Sequence, residues 1–120
     1  RQLDHTKACI DALPGVVEAV AGRVPVVVDG GFLRGADVVK ALCLGADTVG
    51  MGRFEGFAMA AGGASALVQA LKILEHEIQI TMALLGVRTL EELTSDMIER
   101  AEMMSAASVT SAFPFFAEGY

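Results

Sequence analysis

Val24-Pro25-Val26-Val27-Val28-Asp29-Gly30-Gly31 is the stretch that decides the fold class. A continuous apolar run of this length fits a strand covered on both faces, as in a parallel sheet. Its valine density and the glycines behind it favour a strand over a buried helix.

Working outward, residues 6–21 read as a helix with Ile10, Leu13, Val16, Val17 and Val20 on one face. Pro14-Gly15 falls inside that span and predicts a break. Downstream of the valines, residues 36–44 read as a short helix whose apolar face is Val38, Val39, Leu42 and Cys43, with Gly45 ending it. Asp47-Thr48-Val49-Gly50-Met51 reads as a second short strand that closes at Gly52-Arg53. Residues 64–85 then repeat Leu67, Leu71, Leu74, Ile78, Met82 and Leu85 at helical spacing, and Gly86 stops them. A last helix is expected to start near Thr89, with Glu91 and Glu92 in its first turn where the helix dipole favours negative charge.

Helix, strand, helix, strand, helix is the signature of parallel βαβ units. Right-handed crossovers place both strands in one sheet with the helices outside. Two strands cannot cover both faces of a sheet, so the segment is expected not to be self-sufficient and to lean on further strands.

Composition points the same way. The 120 residues are 53% hydrophobic and 20% charged, with a positive mean hydropathy of +0.52. That is much apolar surface for so short a chain, and it suits a piece of a larger core. The net charge of −6, with no dense block of Lys and Arg, argues against a nucleic-acid partner. Cys9 and Cys43 lack metal-ligand spacing and read as buried small hydrophobes in a reducing compartment. His5 and His76 read as structural, and no metal site is expected. The opening Arg1-Gln2-Leu3-Asp4 is too polar for a secretory leader. The uncharged stretch between Glu55 and Lys72 falls short of a bilayer span. A cytoplasmic setting is the expectation. The aromatics Phe113, Phe115, Phe116 and Tyr120 around Pro114 suggest a tail docked on another surface.

The chemistry is concentrated at the two strand ends. One ends Asp29-Gly30-Gly31 and the other Gly50-Met51-Gly52-Arg53. Glycine there lets backbone N–H groups approach a ligand with no Cβ in the way. Amides near a helix N-terminus form an anion site, and Arg53 adds a fork of donors matched to phosphate. In a (β/α)8 barrel the loops after the seventh and eighth strands commonly hold a phosphate. Asp29 reads either as a ligand-orienting carboxylate or as a turn cap. Arg1 reads either as a bidentate clamp for a substrate carboxylate or as a solvated arginine.

Taken together, Arg1-Gln2-Leu3-Asp4, Val26-Val27-Val28-Asp29-Gly30-Gly31, Arg34-Gly35-Ala36-Asp37-Val38-Val39-Lys40-Ala41-Leu42, Leu44-Gly45-Ala46-Asp47 and Gly52-Arg53 resemble the FMN-dependent 2-hydroxy acid dehydrogenase and oxidase family. The glycolate oxidase, lactate oxidase and mandelate dehydrogenase types belong to it. The likeness runs over nearly the whole chain in order and spacing.

The resemblance implies that residues 1–120 are the C-terminal segment of an FMN-binding TIM-barrel domain, an α/β fold in which they supply the last two strands and their helices. It implies that Asp29, Gly30, Gly31, Phe32 and Leu33 line the FMN phosphate loop, that Gly52 and Arg53 complete it, and that Arg1 binds the substrate carboxylate. The family's catalytic histidine stands three residues before that arginine, in a His-Gly-Gly/Ala-Arg-Gln-Leu-Asp motif, so no catalytic residue is expected within these positions. The implied reaction is oxidation of an L-2-hydroxy acid to a 2-keto acid with FMN as cofactor. The implied partners are the N-terminal remainder of the barrel and further copies in a homo-oligomer.

Two departures stand out. The family usually has an arginine where this sequence has Leu33, and often a proline where it has Phe54. Other phosphate-binding barrels, such as type 2 isopentenyl diphosphate isomerases and inosine monophosphate dehydrogenases, share similar loops; Arg1-Gln2-Leu3-Asp4 argues against both. A non-catalytic barrel fragment acting in assembly is the remaining alternative.

Overall fold

The computed structural model describes residues 6–100. Helix α1 spans Cys9–Val20, strand β1 Val27–Asp29, helix α2 Gly35–Cys43, strand β2 Thr48–Gly50 and helix α3 Gly52–Leu85. Short 3-10 turns follow at Leu90–Glu92 and Ser95–Met97.

The strands pair in parallel, with Val27 opposite Thr48, Val28 opposite Val49 and Asp29 opposite Gly50. This is the βαβ unit that the alternation of elements predicts. Asp47 sets the register where the strands begin. Its Oδ2 accepts the Val26 N–H at 2.7 Å, and its own N–H donates to the Val26 carbonyl at 2.9 Å.

Burial along β1 alternates rather than being continuous. Val28 is buried in a cluster with Leu13, Val26, Phe32, Ala41 and Ala46, while Val27 faces outward and is 64% exposed. One face of the sheet lies under α1 and α2, and among the described residues nothing covers the other. Strands with a rise of about 3.3 Å per residue alternate their side chains, and two helices cover only one side, so the second covered face expected of the valine run is not supplied by the described residues, in keeping with a segment expected to lean on further strands.

Three expectations are corrected. Helix α1 runs through Pro14 without a break. A mid-helix proline costs about 3 kcal/mol, but Leu13 is buried beside it, and Ile10, Val17 and Val20 pack on the same cluster. Helix α3 begins twelve residues before the expected start at Ala64, already at Gly52. Non-helical backbone at Gly62 and Gly63 divides it into 52–61 and 64–85, and the Ser65 hydroxyl donates to the Gly62 carbonyl at the kink. The helix expected near Thr89 is two 3-10 turns instead. Leu93, between them, is extended and buried with Val39, Cys43 and Val87, so the chain dips into this second cluster rather than continuing a helix.

By length and composition α3 would pass for a membrane span. Its kink and its packing on α2 fit a helix lying on protein. Leu74 is buried, and Ile78, Met82 and Leu85 pack on the second cluster. Val68, Ile73, Ile80 and Leu84 stay exposed.

Candidate phosphate-binding site

Parallel pairing brings the two strand ends side by side, and a cleft of about 670 Å3 opens there. It is lined by Asp29, Gly30, Gly31, Phe32, Leu33, Gly52 and Arg53, which are the seven residues the sequence singles out for the cofactor. Cys9, Gly50, Met51 and Phe57 complete the wall. Arg1, the eighth expected site residue, lies outside the described residues, as does the aromatic tail.

The chain leaves β1 through Gly30 and Gly31 at φ of +118° and +86°. Side chains with a Cβ are strained in this region. A Cβ on Gly30 would also stand 3.2 Å from the Cys9 Sγ, beneath it. Among the described residues no hydrogen bond engages the amides of Gly31 or Phe32, whereas the Gly30 amide closes the strand pairing by facing the Gly50 carbonyl. Those of Leu33 and Arg34 are different. Both donate to Asp37 Oδ2, at 3.4 and 3.1 Å. For Arg34 this is the return half of a capping box at the start of α2.

The β2 exit is built otherwise. Helix α3 starts at Gly52, and its first intrahelical bond runs from the Glu55 N–H to the Met51 carbonyl. The amides of Gly52, Arg53 and Phe54 therefore have no partner within the helix. They point toward the cleft end of the helix, where the dipole is positive. Arg53 is exposed, and among the described residues no carboxylate pairs with it.

Arg34 does not stand in for the arginine missing at Leu33. Its guanidinium reaches away from the cleft to Glu77 of α3, with Nη2 2.6 Å from Oε1. Asp29 sits against β2: a Cβ on Gly50 would lie 3.0 Å from the Asp29 Cβ, so glycine there leaves room for the carboxylate-bearing side chain.

Two features were not singled out from the sequence. One is Cys9. It was expected to be buried, but it is exposed at the cleft floor, because it is the first residue of α1 and faces the β1 exit. Cys43 is buried as expected, and burial pushes its thiol pKa up, with the nearby Asp96 charge adding to the shift. The other is residues 52–61. Their glycines and scattered charge hide the helix whose N-terminus forms one wall of the cleft.

A profile of the FMN-dependent dehydrogenase family matches residues 1–100. The chain is 48% identical over 99 residues to glycolate oxidase 3 of Arabidopsis thaliana, covering 82% of this chain and 27% of that protein. It is 40% identical over 112 residues to the L-lactate dehydrogenase (cytochrome) of Wickerhamomyces anomalus, covering 89% and 20%. Among solved structures, an active mutant of (S)-mandelate dehydrogenase superposes with a TM-score of 0.79 at 35% identity, covering 84% of this chain and 28% of that one. The chain thus spans about a quarter of the length of the curated relatives it matches.

Proposed function

The chain belongs to the FMN-dependent dehydrogenase family, and from that premise we propose that it forms the phosphate-holding end of an FMN-dependent barrel that oxidises an L-2-hydroxy acid to a 2-keto acid. In this reading β1 and β2 are the last two strands of the barrel. The uncovered sheet face and the exposed Val68, Ile73, Ile80 and Leu84 are where the remainder of the domain packs.

The observation that carries the proposal is the cleft itself. All seven expected cofactor residues converge at the carboxyl ends of two adjacent parallel strands. Both exits offer unengaged amides, one from a glycine loop and one from a helix N-terminus. A short helix behind the last two strands is the usual phosphate device of such barrels.

The residues fit the group. The amides of Gly31 and Phe32, those of the first turn of α3, and the Arg53 guanidinium suit a dianionic phosphate. Asp29 would repel that phosphate, so its place is on hydroxyl donors of the ribityl chain. Leu33 offers no charge, and its amide is turned to Asp37, so it serves as an apolar wall. When bound, FMN supplies the two-electron acceptor for the substrate's α-hydrogen. Arg1 holds the substrate carboxylate in a bidentate pair, which fixes the α-carbon relative to the cofactor. A histidine ahead of Arg1 takes the hydroxyl proton.

The test is made on the complete protein that contains this chain. Purified and reconstituted with FMN, it should be yellow, and a 2-hydroxy acid added anaerobically should bleach the flavin band. A folded, complete protein that takes up no FMN would overturn the proposal.

A further inference from the structure

The five residues between β1 and α2 divide by what holds their amides. Gly31 and Phe32 are unengaged among the described residues, while Gly30 still faces the Gly50 carbonyl of the strand pair. Leu33 and Arg34 are held by Asp37, within the same helix turn. The next amide, Gly35, is held from a distance. It donates to Oε2 of Glu77 at 2.7 Å, across 42 residues of sequence. The other oxygen of Glu77 accepts from Arg34 Nε at 2.8 Å. One carboxylate therefore grips both the backbone and the side chain at the start of α2.

Close packing makes this grip possible. A Cβ on Gly35 would lie 2.5 Å from the Glu77 Cβ and 2.6 Å from the Ile78 backbone nitrogen. Only glycine lets α2 and α3 approach so near that a glutamate on one caps the other. The Arg34 hydrogen bond, and then the Gly35 N–H, hold the Glu77 carboxyl below its usual range.

We propose that Glu77 is a positioning residue for the phosphate loop, fixing the direction of the Gly31 and Phe32 amides by clamping residues 34 and 35 onto α3. The sheet fixes one end of the loop at Asp29, through its pairing with Gly50. Glu77 fixes the other end. A link of five residues between two anchored ends has little freedom, and its amides stay aimed at the cleft before any ligand arrives. Preorganised donors bind more tightly because ordering them costs nothing at the moment of binding. Without Glu77, the first turn of α2 loses its cap, Arg34 loses its partner, and the loop gains conformations in which its amides point elsewhere.

This inference rests on the phosphate-cradle reading, and the test separates the two. Dissociation constants of FMN and of riboflavin, which lacks the phosphate, are measured by flavin fluorescence on the apo form of the complete protein. Wild type is compared with Glu77→Ala, Glu77→Gln and the control Glu75→Gln, which lies exposed on the same helix. Glu77→Ala should weaken FMN about five- to tenfold, the scale of a lost cap and a charge-assisted bond, and leave riboflavin unchanged. Glu77→Gln, which keeps an acceptor for Gly35 and gives up the ion pair, should fall between, and it decides the matter alone if the alanine variant does not fold. Glu75→Gln should match wild type. Equal weakening of FMN and riboflavin, or no weakening of either, overturns the positioning role. A wild type that binds both flavins equally overturns the cradle reading beneath it.

Discussion

The two strand exits solve one problem in different ways. Strand β1 leaves through two positive-φ glycines and a five-residue loop before α2 begins. Strand β2 passes almost directly into a helix at Gly52. The first exit presents loop amides, whose direction depends on what anchors the loop. The second presents helix amides, whose direction is set by the helix itself. The contrast teaches that the β1 exit needs outside support, and the Glu77 clamp supplies it. The β2 exit carries its own order and adds the exposed charge of Arg53.

Substitutions can break this contrast at several points. The largest effect is expected at Gly35. Gly35→Ala puts a methyl group against the α3 backbone, and overpacking of this kind costs about 3 kcal/mol. Denaturant unfolding of the complete protein should show the loss in its midpoint, with FMN affinity falling alongside it as α2 moves off Glu77.

Next comes Gly31→Ala. Nothing stands within 4 Å of a Cβ there, so the only penalty is the backbone φ of +86°. Strain of about 1–2 kcal/mol should appear as roughly a tenfold loss of FMN affinity, read by fluorescence titration. An alanine at Gly56, inside the first turns of α3 with a helical backbone and open space around it, should lose nothing.

Leu33→Arg acts in the opposite direction. Leu33 is 41% exposed and lines the cleft. A guanidinium there should tighten FMN several-fold, by roughly one charge-assisted hydrogen bond. The gain should shrink as salt is raised, because the site is open to solvent.

The smallest effect concerns pH. Glu77 has its carboxyl held below its ordinary value of 4.5. A carboxylate with a depressed folded pKa contributes stability that is present above the unfolded value and is lost as pH falls through the folded one. The difference in melting temperature between wild type and Glu77→Gln should therefore hold from neutral pH down to about 4.5 and close below it. Both partners are partly solvated, at 72% and 24% side-chain exposure, so the difference is small.

Much of this was legible in the sequence. Valine density marks β1, and the glycines at Gly30-Gly31 and Gly50-Met51-Gly52 mark the two strand ends that meet at the cleft. The repeat through Leu74, Ile78, Met82 and Leu85 marks the long helix. The rest depends on tertiary contacts that a linear reading does not weigh. Pro14 predicts a break, but the buried face around Leu13 holds α1 together. Thr89 predicts a helix, but burial of Leu93 pulls the chain into turns. Residues 52–61 carry no clean periodicity, because the helix they form is short and exposed on most sides. Glu77 reads as one more charge on a solvated face beside Glu75 and His76. Its partner amide lies 42 residues away, beyond any local pattern.

The central claim is that the cleft binds phosphate through Arg53 and the amides at the two strand exits. Its most direct test is the ratio of FMN to riboflavin affinity in the complete protein, wild type against Arg53→Met. The cradle predicts a strong preference for FMN in wild type. It also predicts a loss of FMN affinity of about ten- to a hundredfold in the variant, the scale of hydrogen bonds to a charged group, with riboflavin unmoved. An unchanged ratio in Arg53→Met would contradict it.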